Sequence, residues 1–309
     1  MTTKEFYFPS SNQKTNIHAV QWIPEGIPKA ILQIAHGVTE HIFCYKELAE
    51  YFTARGFLVV GNDHLGHGSS ITKEMKPMYF GPEGSWEWVV KDIHTCMQMT
   101  KKQYPNIPYI LLGLSLGSFA VRTHAICYPK AVDGIILAGT GQRKVIDLIL
   151  ARFIAKLEAK KAGEDNTTPL IQKLTFEDYN KKFKPNRTKY DWLCKSEKGL
   201  DSYMEDPLRG EAMSAGLFCE MINGMLFTGR LKNQKKMDKE IPILLLSGDK
   251  DPVGEYGTGV KCACKSFKKA GIKDVSMKIY EELRHNIFLE DEKMSIFEDI
   301  YNWSKEKCL

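Results

Sequence analysis

Ser115 lies in Gly113-Leu114-Ser115-Leu116-Gly117, Asp251 in Gly248-Asp249-Lys250-Asp251-Pro252, and His285 in Leu283-Arg284-His285-Asn286. A serine hydroxyl is a poor nucleophile at its free pKa and needs an adjacent base. A histidine supplies that base, taking the proton and later returning it to the leaving group. A carboxylate fixes the imidazole tautomer and stabilises the imidazolium. Together these groups could open an ester or amide through an acyl intermediate. Each alone is weak. A bare G-x-S-x-G is often an ordinary turn, an aspartate beside Gly or Pro is often a solvated turn residue, and the chain holds eight histidines. The reading therefore rests on the elements that would position them and on their order.

Before Ser115 runs Tyr109-Ile110-Leu111-Leu112, short, apolar and bounded by Pro108, which predicts a buried strand. After it, the chain from Ser118 has no Gly or Pro until Pro129, which predicts a helix. A serine on a tight strand-to-helix turn has the setting of a nucleophile elbow. The glycines let the backbone turn without a Cβ clash, and the helix N-terminus points free N–H groups at the reacting centre. Ile243-Leu244-Leu245-Leu246 follows Pro242 as a second buried strand and ends in the loop carrying Asp249 and Asp251. Asp249 is nearer the strand end; Asp251 precedes Pro252, which biases it to an extended, loop-forming backbone, and is preferred. Val275–Tyr280 alternates as a half-buried strand does, and His285 follows it ahead of a terminal helix over Ile287–Lys305. Lys29–Ala35 is another strand, ending at His36-Gly37-Val38. In this arrangement the oxyanion donors come from the loop after that strand and from the residue after the nucleophile. These are the backbone N–H groups of Val38 and Leu116, and one such donor is typically worth about 3 kcal/mol. His36 reads as a structural hydrogen-bonding residue.

At these residues the chain resembles the monoacylglycerol lipase and lysophospholipase branch of the α/β-hydrolases, often grouped with the serine aminopeptidase-like hydrolases. The resemblance rests on His36–His41, on Asn62-Asp63-His64-Leu65-Gly66-His67-Gly68-Ser69, on the elbow, on Gly248–Val253 and on Arg284-His285. It implies a Ser-Asp-His esterase, with the acid at the last position of G-x-x-D, hence Asp251, and a helical cap over an apolar pocket. Two departures stand out. Family elbows usually place His before the nucleophile and Met after it, where this chain has Leu114 and Leu116. Related lipases carry Arg where this chain has Cys44, an Arg expected near Glu40 at the headgroup end of the pocket. Its loss argues against strict monoglyceride specificity and leaves the hydrolytic machinery untouched.

The 309 residues are ample for one large core plus an insertion. Alternating strands and helices predict an α/β fold: a mostly parallel sheet of about eight strands with helices on both faces. Two early strands near Lys4–Pro9 and Asn16–Ile23 are expected to form an antiparallel edge. After Gly134–Gly141 no good buried strand appears until Ile243. Residues 1–141 and 239–309 are therefore expected to form the core, and 142–238 a helical cap. That segment has 19 Lys and Arg against 14 Asp and Glu, so all the net charge of +5 falls there. Such a surface could contact anionic lipid, or be ordinary solubilising charge. Within it Ile146, Ile149, Leu150, Phe153 and Leu157 form an amphipathic stripe. Packing onto the core is the commoner fate of such a stripe; the other is to line an acyl-chain entrance or rest on a membrane surface. Glu40, Cys44, Ile149, Phe153, Tyr179 and Trp192 are the expected pocket residues.

The N-terminus lacks the apolar stretch of a signal peptide, and no run approaches the length of a membrane span, so a cytoplasmic location is expected. The eight scattered cysteines are then expected to stay reduced, and Cys262-x-Cys264 alone is a poor zinc site. No nucleic-acid module and no phosphate-binding P-loop is present, and the chemistry calls for no metal or cofactor. Single-chain lipids or small esters are the expected substrates. An aminopeptidase on the same scaffold and a non-catalytic ligand-binding member of the fold are the rival readings. The oligomeric state is not legible.

Overall fold

The computed structural model describes residues 1–174 and 178–309. Eight strands form one sheet in the order β1-β2-β4-β3-β5-β6-β7-β8. They span β1 Thr2–Pro9, β2 Asn16–Ile23, β3 Ala30–Ala35, β4 Phe57–Asn62, β5 Tyr109–Leu114, β6 Gly134–Ala138, β7 Ile243–Gly248 and β8 Val275–Tyr280. β1 and β2 pair antiparallel at one edge, and β2 runs antiparallel to β4; all other pairings are parallel. The five strands from β4 to β7 are buried along their whole length. This is why they read as unbroken apolar runs: a parallel sheet covered on both faces has no polar side to show.

Alternate residues feed two cores. Ile31, Leu111, Ile135 and Leu245 face a core completed by α2 (Trp86–Gln103), α3 (Leu116–Cys127) and α10 (Thr258–Ala270). Leu32, Leu112, Ile136 and Leu246 face a second one completed by α1 (Lys46–Thr53) and α11 (Lys293–Cys308). Between β6 and β7 the described residues contain no strand. They form α4 (Val145–Ala162), α5 (Pro169–Gln172), α6 (Asp178–Asn180), α7 (Glu197–Glu205), α8 (Ala215–Gly229) and α9 (Leu231–Gln234).

Of the two fates open to the amphipathic stripe of this insertion, the commoner is not the one seen. The bulky stripe of α4 does not pack on the core. Ile146 is 68 %, Leu150 59 % and Phe153 60 % exposed, and Ile149 and Leu157 are exposed beside them. The buried side of α4 is instead Leu148 and Ala155, flanked by half-buried Ala151 and Ala159, and it lies against α8. Small side chains at this spacing let two helices approach closely, so the face with less apolar bulk makes the contact.

The sheet also fixes where a site can form. From β3 the chain moves outward to β4, then returns past β3 to β5. Connections that leave neighbouring parallel strands in opposite directions open a crevice at their carboxyl ends. The loops starting at His36 and Ser115 flank that crevice.

Candidate active site

Ser115 joins β5 directly to α3 with φ 52° and ψ −118°. A non-glycine residue there is strained, and such strain is held only where the surroundings enforce it. The neighbours do so by close approach. A Cβ on Gly113 would lie 2.4 Å from Gly117 O, and one on Gly117 would lie 2.0 Å from Ala35 O. The glycines are thus needed for packing space, while the unusual φ falls on the serine itself. Ser115 N–H donates to Ala138 O at 3.0 Å, pinning the turn to the end of β6.

His285 reaches the same strand end. Its ring lies so close to Gly139 that a Cβ there would sit 2.9 Å from Cε1, and Gly139 has φ +55°. His285 Nδ1 and Asp251 Oδ1 are 2.9 Å apart, both residues almost wholly buried. The Asp251 carboxylate is fixed in turn by the Val253 N–H at 2.8 Å. Asp249 points elsewhere, to Lys250 at 3.2 Å. The order legible in the sequence therefore brings Asp251, not Asp249, to His285.

The loop after β3 supplies the third side. A Cβ on Gly37 would lie 3.5 Å from Ser115 Cβ. Among the described residues, neither the Val38 nor the Leu116 N–H donates a hydrogen bond; Leu116 opens α3, where first-turn donors are free by construction. Glu40 holds this loop. Its Oε2 accepts from the Gly37 N–H at 2.8 Å and the Tyr45 hydroxyl at 2.7 Å, and its Oε1 from the Asn286 amide at 2.6 Å. Burial pushes the Glu40 carboxyl up, against the opposing effect of those hydrogen bonds and of His285. Asp63 braces the same loop, accepting from Ile42 N–H at 2.7 Å and Ser69 N–H at 2.8 Å. His36 Nε2 accepts the His64 N–H at 2.9 Å. Burial drives His36 well below the usual imidazole range and pushes His64 down to about 3 and His67 to about 4. These three rings are neutral scaffolding.

The sequence pattern of the serine aminopeptidase, S33 family matches residues 26–292. The chain belongs to this hydrolase family. It is 25 % identical over 286 residues to the monoacylglycerol lipase of Mycolicibacterium smegmatis, covering 91 % of this chain and 90 % of that one. It is 27 % identical over 290 residues to the human monoglyceride lipase, covering 93 % and 86 %. Its fold superposes on a carboxyl esterase from Bacillus coagulans, solved in complex with glycerol, with a TM-score of 0.92, 26 % identity and full coverage of both chains.

Within this S33 hydrolase the insertion reaches the site through aromatic residues. The Trp192 ring centroid lies 5.3 Å from that of His285, and Tyr179 lies 5.1 Å from Trp192. The backbones are tied too: the Asn286 N–H donates to Leu193 O at 2.7 Å. Of the other expected pocket residues, Glu40 is enclosed with both carboxylate oxygens occupied, Cys44 is at the surface, and Ile149 and Phe153 are on the exposed face of α4. Sequence reasoning missed Gly139, Tyr45 and Asn286. The aromatic and the amide flank motifs already singled out; Gly139 has no local signal beyond following a strand.

Proposed function

We propose that this S33 hydrolase cleaves carboxylic esters through an acyl-enzyme, with Ser115 as nucleophile, His285 as general base and acid, and Asp251 orienting the imidazole. The observation that carries the reading is the convergence at the end of β6: Ser115 N–H on Ala138 O, and the Asp251-paired His285 ring against Gly139. Ser115 Oγ attacks the ester carbonyl as His285 accepts its proton. The oxyanion forms beside the free Val38 and Leu116 N–H groups, and the protonated His285 returns the proton to the departing alcohol. Water then repeats the sequence on the acyl-enzyme.

Residues 142–238 act as the cap, with Trp192 and Tyr179 walling the base from solvent. The proposed substrates are single-chain lipids, such as lysophospholipids or monoacylglycerols, and short to medium acyl esters, in keeping with the lipases and esterase that the chain resembles. No helix among the described residues is long and apolar enough to cross a membrane. The exposed stripe of α4, in a segment that carries the chain's net positive charge, suits peripheral contact with a lipid surface. An aminopeptidase would need a cap carboxylate free to hold a substrate amine. Beside His285 the cap instead places Trp192, and Asp206 is bonded to His41.

The test is turnover of p-nitrophenyl esters from acetate to palmitate, of lysophosphatidylcholine and monoacylglycerol, and of amino-acid p-nitroanilides. Ester cleavage favouring longer acyl chains, with inert anilides, is expected. Cleavage of the anilides alone would overturn the esterase reading.

A further inference from the structure

We propose that His41, Cys44 and Asp206 form a three-ligand zinc site joining the loop after β3 to the C-terminal end of α7. One donor atom from each residue lies within 4.8 Å of the other two. His41 Nε2 and Asp206 Oδ2 are 2.7 Å apart, and Cys44 Sγ is 3.8 Å from the same oxygen. Tetrahedral zinc with bonds of about 2.0–2.3 Å places its donors roughly 3.3–3.6 Å apart. The nitrogen and oxygen need only part slightly, and the sulfur close slightly, to admit the ion. The donor set is one nitrogen, one sulfur and one oxygen, and a thiolate in such a set selects zinc over the hard cations. Three protein ligands leave a fourth position for water, and Cys44 lies at the surface where an ion can enter.

The His41 ring is buried, and among the described residues its Nδ1 has no partner, so no second hydrogen bond resists the small rotation that binding requires. The lack of that second bond also limits affinity, because partners on the far nitrogen typically contribute about 10–100-fold. The site should therefore bind in the micromolar range. Zinc takes the place of the thiol proton, which leaves to solvent, and of the proton between His41 Nε2 and Asp206 Oδ2, which moves to His41 Nδ1, forming a zinc–thiolate bond with no change of oxidation state. His41 and Cys44 precede the β6-to-β7 insertion and Asp206 lies inside it, so the ion cross-links the two.

The experiment is calorimetric titration of zinc chloride into the chelator-stripped full chain, in two buffers of different ionisation enthalpy, with thermal melts alongside. The expected result is one zinc per chain at micromolar affinity, about one proton released at neutral pH, and a higher melting temperature with zinc. Cys44→Ser and Asp206→Asn, checked for folding by circular dichroism, should each weaken binding by about tenfold or more. No zinc binding by the wild-type chain would overturn the proposal. So would wild-type affinity in both variants, which would place the ion elsewhere.

Discussion

The Glu40 carboxylate accepts the Gly37 N–H at 2.8 Å through one oxygen and the Asn286 amide at 2.6 Å through the other. One enclosed side chain thus ties the loop bearing the Val38 N–H to the residue after His285. Glu40→Gln replaces one of these acceptor oxygens with a donor and leaves a buried partner unpaired. Small misplacements of reacting groups cost up to about a hundredfold. We expect kcat to fall by about 10–100-fold on a soluble ester with KM little changed. A rise in KM alone would instead make Glu40 a substrate-binding group.

Asp251 and Asp249 lie two residues apart but face different partners, His285 and Lys250. Asp251→Asn should lower kcat by about three to four orders of magnitude, because the amide no longer enforces the required tautomer. Asp249→Asn should leave turnover near normal. Steady-state kinetics on both variants decides the point, and the opposite ranking would reassign the acid.

Burial keeps His36, His64 and His67 neutral in the folded chain, with pKa values below the ordinary 6.5. Below that pH the unfolded chain binds protons that the folded chain refuses. Stability is therefore present above pH 6.5 and lost as pH falls toward 4, by up to about 1.4 kcal/mol per pH unit for each such histidine. The raised carboxyls of Glu40 and Glu290 act in the opposite sense, so a single variant isolates the effect. Urea midpoints at pH 7, 6 and 5 should fall steadily, and less steeply for His67→Gln. Equal slopes for the two proteins would contradict this.

Ile146 and Leu150 sit on the solvent side of α4, so replacing both by Ser should change stability by no more than about 0.5 kcal/mol each. If that face meets lipid, turnover of monoacylglycerol in anionic vesicles should fall several-fold while turnover of p-nitrophenyl acetate is kept. Equal loss on both substrates would point to a packing defect.

The sheet was legible because its strands are short apolar runs bounded by Pro or Gly, and Ser115 was legible because its strand-turn-helix setting is local. The identity of the S33 hydrolase followed from the same segments. What the sequence hid depends on contacts between distant residues. Gly139 looks like any glycine after a strand until His285, far along the chain, is packed against it. Glu40 looks like a pocket carboxylate until Tyr45 and Asn286 occupy its oxygens. The face of α4 that packs is not legible because amphipathic periodicity weighs bulk, whereas Ala151, Ala155 and Ala159 pack by being small.

The central claim is that Ser115 is the nucleophile. Intact-mass analysis after treatment with a fluorophosphonate, run beside p-nitrophenyl ester turnover, tests it most directly. One adduct is expected, located on Ser115, with turnover lost in step, and neither adduct nor turnover in a folded Ser115→Ala variant. An unlabelled Ser115, or near-normal turnover by a pure and folded Ser115→Ala, would contradict it.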